Sequence, residues 1–309
     1  MKSNFDFLNR YWPALAQIGA TAETYVYSDP NACIYKLGMF AERLVQEILV
    51  FEHIAEPAVD NTHANRIRIL KRAGLLPHEI DNTLYVLRKT RNTAVHTGTD
   101  SVDEAKTLLS LTYNLAVWFM ETYGDWGYIA PEFVMPSETT HEDLESVIAE
   151  QERKIEGLTK QLAVVKTAAS GKTQKERAKR SESVSAMMNW NEAQTRCLID
   201  EQLRLSGWEA DTQNLRYSKG TRPVKGRNIA ISEWPTNSAF YKNGYADYAF
   251  FVSEKLVALM DAKKMSEDVA STIDVQVKDY AAHIKPEDIP HTVGNWNGYQ
   301  VPFLFASNG

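Results

Sequence analysis

The sequence predicts an α+β multidomain protein: an all-α N-terminal bundle, then a coiled-coil helix, then an α/β domain with a mixed sheet. Three observations carry this. Apolar residues recur at three and four spacing from Phe5 to about Tyr123, a heptad seam runs from Leu144 to Val165, and β-rich apolar runs begin after Asn189. The expected divisions are residues 1–135, 136–186 and 187–309.

In the first division, Leu37, Phe40, Leu44, Ile48 and Phe51 form one helical stripe, and Leu108, Leu111, Leu115 and Phe119 form another. Five helices are expected. Their starts fall near Asp29-Pro30, Thr62, Leu76-Pro77 and Ser101, the last with Glu104 in capping-box position. The aperiodic stretch from Gly124 to Pro136 ends the bundle. Next, Leu144, Ile148, Gln151, Ile155, Leu158, Leu162 and Val165 alternate steps of four and three, which makes a coiled-coil seam on one long helix. GKTQKERAKRSES then reads as a polar, basic connector. Ser170-Gly171-Lys172-Thr173 imitates the tail of a phosphate-binding loop, but Lys166 stands where that loop needs glycine and no apolar strand precedes it. In the last division a helix over about 190–206 ends at Gly207-Trp208, and NIAISEW reads as a strand. YADYAFFV and KLVALMDAKK form a hairpin around Ser253-Glu254; a helix near Ser266 to His283 and a strand from Tyr299 to Phe305 follow.

Composition narrows the function. With 44% hydrophobic and 24% charged residues the 309-residue chain is an ordinary globular protein, and neither a membrane span nor a secretory signal is present, so a cytoplasmic location is expected. Cys33 and Cys197 have no metal-type spacing and read as reduced and inert. The net charge of −6 argues against a generally basic nucleic-acid coat. Locally the balance reverses: Arg216, Lys219, Arg222, Lys225 and Arg227 lie in a twelve-residue run without an acid. Such a stripe can reach phosphates without reading bases; a merely solvated loop is the alternative.

The chemistry concentrates in the hairpin. Asp247 lies in its first strand, while Asp261 and Lys263, two residues apart on the second, point to one face and Ala262 points away. Two carboxylates and an ammonium beside an apolar strand cost free energy unless they hold a cation or each other. Two carboxylates with a backbone carbonyl suit a hard divalent ion such as Mg²⁺, beside which the lysine can position or polarise an attacking water. The plainer alternative is a surface Asp261–Lys263 salt bridge with Asp247 capping a turn.

Asp247 followed by Asp261-Ala262-Lys263 resembles the PD-(D/E)xK nuclease pattern, and Gln276 and Tyr280, four residues apart, resemble the Gln-x3-Tyr arrangement of one branch of those nucleases. The resemblance extends through EAQTRCLIDEQLRLSGW, LRYSKGTRPVKGRNIAISEWPT, NGYADYAFFV, VALMDAKK, VQVKDYA and VPFLFASNG. Over roughly residues 187–309 the chain is similar to the nuclease region of the restriction (R) subunit of type I restriction-modification enzymes. That resemblance implies a PD-(D/E)xK endonuclease fold with Mg²⁺ held by Asp247 and Asp261, Lys263 assisting the nucleophile, and Gln276 and Tyr280 orienting the site or DNA. It also implies an acid from the first helix near the metal, for which Glu192 is the best match. The family usually has Glu-x-Lys; Asp261 is one methylene shorter. Double-stranded DNA and the methyltransferase and specificity subunits are the implied partners, and no membrane is. ATP belongs to the translocase that follows in the family; no helicase motif occurs here, and the end of the chain just after a strand points to a fragment.

A second motif lies in the bundle. Arg91 and His96 resemble the Arg/His signature of HEPN helical domains, whose active members cleave RNA without metal. Capping of a helix end by His96 ahead of Thr97-Gly98 is the structural alternative. The readings to be separated are therefore an Mg²⁺-dependent DNA endonuclease module, a HEPN-type ribonuclease, and a non-catalytic docking module for the methyltransferase core.

Overall fold

Side-chain oxygens sit where three of the N-terminal helices start. The computed structural model describes residues 3–56, 59–97, 101–138, 150, 153–155, 166–239, 244–263, 269 and 273–307. These form two units, residues 1–188 and 189–309. In the first, helices α1 (Pro13–Tyr25), α2 (Pro30–Phe51), α3 (His63–Arg72), α4 (His78–Thr97) and α5 (Val102–Phe119) give the expected five. Asp29 accepts a hydrogen bond from the Ala32 N–H at 2.9 Å, Thr62 from Asn65 at 3.3 Å and Ser101 from Glu104 at 3.1 Å. Each such cap is worth about 1 kcal/mol, because it satisfies an N–H that the helix itself cannot. Phe5, Phe40, Trp118, Phe119 and Tyr123 fill the core of the bundle.

The basic connector is a correction. Residues Gln174–Met187 form helix α6, opened by a capping box between Thr173 and Glu176. Its buried Arg177 donates from Nε to Glu52 at 2.7 Å, and its Ser181 hydroxyl accepts from Trp118 Nε1 at 3.2 Å. The segment is thus part of the bundle's packing. Thr173, in the imitation phosphate loop, is its N-cap. Of the seven heptad positions only Ile155 falls among the described residues. No helix among them is long and apolar enough to cross a membrane.

The second unit is a five-stranded mixed sheet in the order β1 (Glu209–Ala210), β2 (Asn228–Thr236), β3 (Gly244–Val252), β4 (Lys255–Ala262), β5 (Phe303–Ser307). The three central strands are antiparallel, and the two outer pairings, β1 with β2 and β4 with β5, are parallel. Both faces of the hairpin are buried, which explains its nearly unbroken apolar run. Tyr248, Phe250 and Met260 pack with Ile199 of helix α7 (Glu192–Leu205), while Ala249, Phe251 and Leu259 pack with Tyr280 and Ala281 of the short helix α8 (Lys278–Ala282). Within the expected helix before His283, residue 269 and residues from 273 on are described, the latter as a π-helical turn (Ile273–Val277) leading into α8. The last strand starts at Phe303, four residues later than its apolar run.

Candidate active site

Helix α7 is fixed against the sheet by Asp200. Its carboxylate accepts from the Thr212 N–H at 2.7 Å, the Thr212 hydroxyl at 2.8 Å and the Tyr248 hydroxyl at 2.9 Å. Burial raises the Asp200 pKa against these hydrogen bonds. One turn earlier on the same helix Arg196 is thereby held over β3, where its guanidinium pairs with Asp247.

The hairpin brings the two predicted aspartates together. Tyr248 pairs with Met260 in antiparallel register, and the same register continued by one residue sets Asp247 opposite Asp261. Their carboxyls lie close enough for Asp261 to raise the Asp247 pKa. Asp247 also accepts from the Ala262 N–H at 2.7 Å. Burial first, then the hydrogen bond and negative charge of Asp261, push the Asp247 pKa up to about 7, against the lowering effect of Arg196. Lys263 follows β4; its N–H donates to the Ser307 carbonyl on β5 at 2.8 Å and its ammonium lies 2.7 Å from Asp261 Oδ2. That oxygen, although beside the ammonium, is buried and completes no hydrogen bond of sound geometry.

These residues fit a hard divalent cation. Two neighbouring carboxyls, one with a buried oxygen lacking a hydrogen bond, form an oxygen-rich pair that a cation would relieve. Among the described residues no three His, Cys, Asp or Glu side chains converge as a ready cage, so waters would complete the shell. Glu192 stands at the N-terminus of α7, 58% exposed, with its carboxylate 2.7 Å from Arg196. Glu192 and Asp247 contact the same nitrogen of the Arg196 guanidinium, so the expected first-helix acid stands beside the carboxyl pair with Arg196 between them.

Two members of this cluster escaped the sequence reading. Arg196 contacts Glu192, Asp247 and, at 3.5 Å, Glu233 of β2. Glu233 has φ 53°, a left-handed conformation rare for a residue with a side chain. Its carboxylate receives Arg216 as well. The Nε–H groups of Arg196 and Arg216 are buried without hydrogen-bond partners. A signal for Arg196 existed, since it lies four residues after Glu192 on one helix face. Glu233 offered only an acid inside an apolar strand.

The other expected residues divide. Gln276 is half-buried in the π-helical turn, whereas Tyr280 packs in α8 beside Gly244, where an added Cβ would lie 3.1 Å from the Tyr280 ring. Their expected place on one face of a continuous α-helix is corrected, because the wider π turn ends between them. The basic stripe is also less open than its charge implied. Arg216 is held by Glu233, Arg222 lies 3.8 Å over the Tyr217 ring, and Arg227 donates to Glu209 at 2.8 Å. Lys219 and Lys225 are exposed. In the bundle, Arg91 pairs with Glu42 of α2 at 2.8 Å and lies over Tyr35. Gly38 admits it: a Cβ there would come within 2.4 Å of the Arg91 side chain. Arg91 thus ties α4 to α2; the side chain of His96 is outside the described residues.

A helix beside a mixed sheet, with two acids and a lysine at the end of a hairpin, is the arrangement implied by the nuclease resemblance. Residues 209–309 match the family model described as the second domain of the type I restriction enzyme EcoKI endonuclease subunit. The chain is similar to the type I restriction enzyme EcoKI endonuclease subunit of Escherichia coli (strain K12), with 27% identity over 386 aligned positions that take in all of this chain and 32% of the relative. It spans about a third of that relative's length. These two matches show the resemblance to a type I R subunit in its nuclease region. No solved structure matches.

Proposed function

We propose that this chain is the DNA endonuclease module of a type I restriction R subunit, hydrolysing phosphodiesters of double-stranded DNA with Mg²⁺ at a PD-(D/E)xK-type site. The observation that carries the reading is the adjacent pair of Asp247, part-buried, and Asp261, buried, with the Lys263 ammonium 2.7 Å from Asp261. When bound, Mg²⁺ supplies Lewis acidity and a water made more acidic. Asp247 and Asp261 hold the ion, and the Ala262 N–H fixes the orientation of Asp247. Lys263 orients the attacking water and offsets negative charge that develops on the phosphate. Lys219 and Lys225 meet the DNA backbone, a sequence-independent contact. The methyltransferase and specificity subunits are the proposed partners, with site recognition in the latter and ATP used only by a translocase outside this chain.

The test is DNA cleavage by the complete assembly. Lys263→Ala abolishes cleavage and leaves ATP hydrolysis intact, and EDTA abolishes cleavage by the wild type. ATPase lost in step with cleavage in a folded, assembled Lys263→Ala protein would contradict the assignment.

A further inference from the structure

Arg196 occupies the position in which a cation bridging these carboxylates would be expected. Its guanidinium pairs with Asp247, lies 2.7 Å from Glu192 and 3.5 Å from Glu233, and is only 14% exposed. Three acids share this one guanidinium. Glu233 is offered to Arg196 by a strained, left-handed backbone, and it already accepts Arg216. An arginine that shares its charge among several acceptors, with its Nε–H unsatisfied, has exchangeable contacts.

We propose that Arg196 is a resident counter-cation of the metal site, which gives up Asp247 when a divalent ion binds and transfers its charge to Glu233. The inference rests on the nuclease reading above. It makes Arg196 and Glu233 positioning residues: Arg196 competes with the metal for Asp247, and Glu233 supplies the seat to which it withdraws. The exchange keeps the carboxylates paired in the metal-free protein, where two bare buried acids would be costly. It also sets metal affinity below what the carboxyl pair alone would give.

The sign of the mutational effect tests this. Mn²⁺ binding to the 309-residue chain is titrated by calorimetry for wild type, Arg196→Met, Arg196→Lys, Glu233→Gln, the Arg196→Met/Glu233→Gln double variant and Asp261→Ala. Arg196→Met should bind Mn²⁺ tighter by about tenfold, the scale of losing one part-buried charge competitor. Its thermal midpoint should also rise more on Mn²⁺ addition than that of wild type. Glu233→Gln should weaken binding where Arg196 is present and have little effect in the double variant, which separates a withdrawal seat from a direct ligand. Arg196→Lys, which keeps the charge but not the fork, should lie between wild type and Arg196→Met and serves if Arg196→Met does not fold. Unchanged or weaker binding in the folded Arg196 variants, with Asp261→Ala abolishing it, overturns the exchange and leaves the nuclease reading standing. Equal weakening by Glu233→Gln in both backgrounds overturns the role of Glu233. If neither wild type nor any Arg196 variant binds Mn²⁺, both readings fall.

Discussion

Arg177, buried, and Arg196, part-buried, are both guanidiniums facing carboxylates, yet they are partnered in opposite ways. Arg177 has one acid, Glu52, which takes its Nε–H at 2.7 Å, while its Nη1 reaches the Ala169 carbonyl at 3.4 Å. Its donors are satisfied, and it ties α6 to the end of α2. Arg196 faces three acids, keeps a buried Nε–H without an acceptor, and lies beside an aspartate whose pKa is pushed up to about 7. The difference separates a finished structural pair from an unfinished one. A saturated pair gains nothing from another ion; a cluster with surplus carboxylate does.

The contrast can be broken first at its chemical end. Asp261→Ala should lower DNA cleavage by the complete enzyme by about a thousandfold or more, the scale of losing a group needed in the transition state. Cleavage within tenfold of wild type would place the chemistry elsewhere. The structural end is next. Glu52→Ala leaves Arg177 buried and unpaired and should destabilise the first unit by about 3–5 kcal/mol in chemical denaturation, without altering Mn²⁺ affinity. A loss under about 1 kcal/mol would mean that Arg177 reaches water and that the pair is not saturated.

The pH dependence sharpens the comparison within the metal-free chain. Between the ordinary aspartate value of 3.8 and about 7, folded Asp247 keeps a proton that the unfolded chain has released. This contribution to stability is present in full below pH 3.8 and is lost as pH rises through about 7. Denaturation of the second unit should therefore show increasing stability from Asp247 as pH falls across that window, and Asp247→Asn should remove that part of the slope. A slope unchanged by Asp247→Asn would assign the proton to another group. Smaller effects belong to the surface. Lys219→Ala and Lys225→Ala should each weaken DNA binding slightly and reduce its salt slope by about one. Arg227→Ala, which removes a residue already paired with Glu209, should change that slope less. His96→Ala should leave DNA cleavage unchanged; RNA cleavage that survives EDTA and disappears in this variant would restore the ribonuclease reading.

Much of this was legible because its causes are local. Asp29, Thr62 and Ser101 cap helices through N–H groups three residues away, so the residue and its consequence share one short segment. The meeting of Asp247 with Asp261 was less legible: the turn register, Val252 with Lys255, would by itself set Asp247 opposite Met260, and a β-bulge between Phe250 and Phe251 shifts the pairing by one residue. The same local reasoning misplaced GKTQKERAKRSES, whose helix is held by Glu52 and Trp118 from distant parts of the bundle.

By itself the sequence determined the helical bundle and the mixed α/β domain after it, because periodicity and caps act over a few residues. Only the tertiary structure decided that Arg196 reaches Asp247 across 51 positions of chain, that Glu233 turns out of its strand to meet two arginines, and that Arg216 is engaged by Glu233. Charge pairing acts through space, and a chain folded around a sheet brings together groups whose spacing along the sequence carries no period to read.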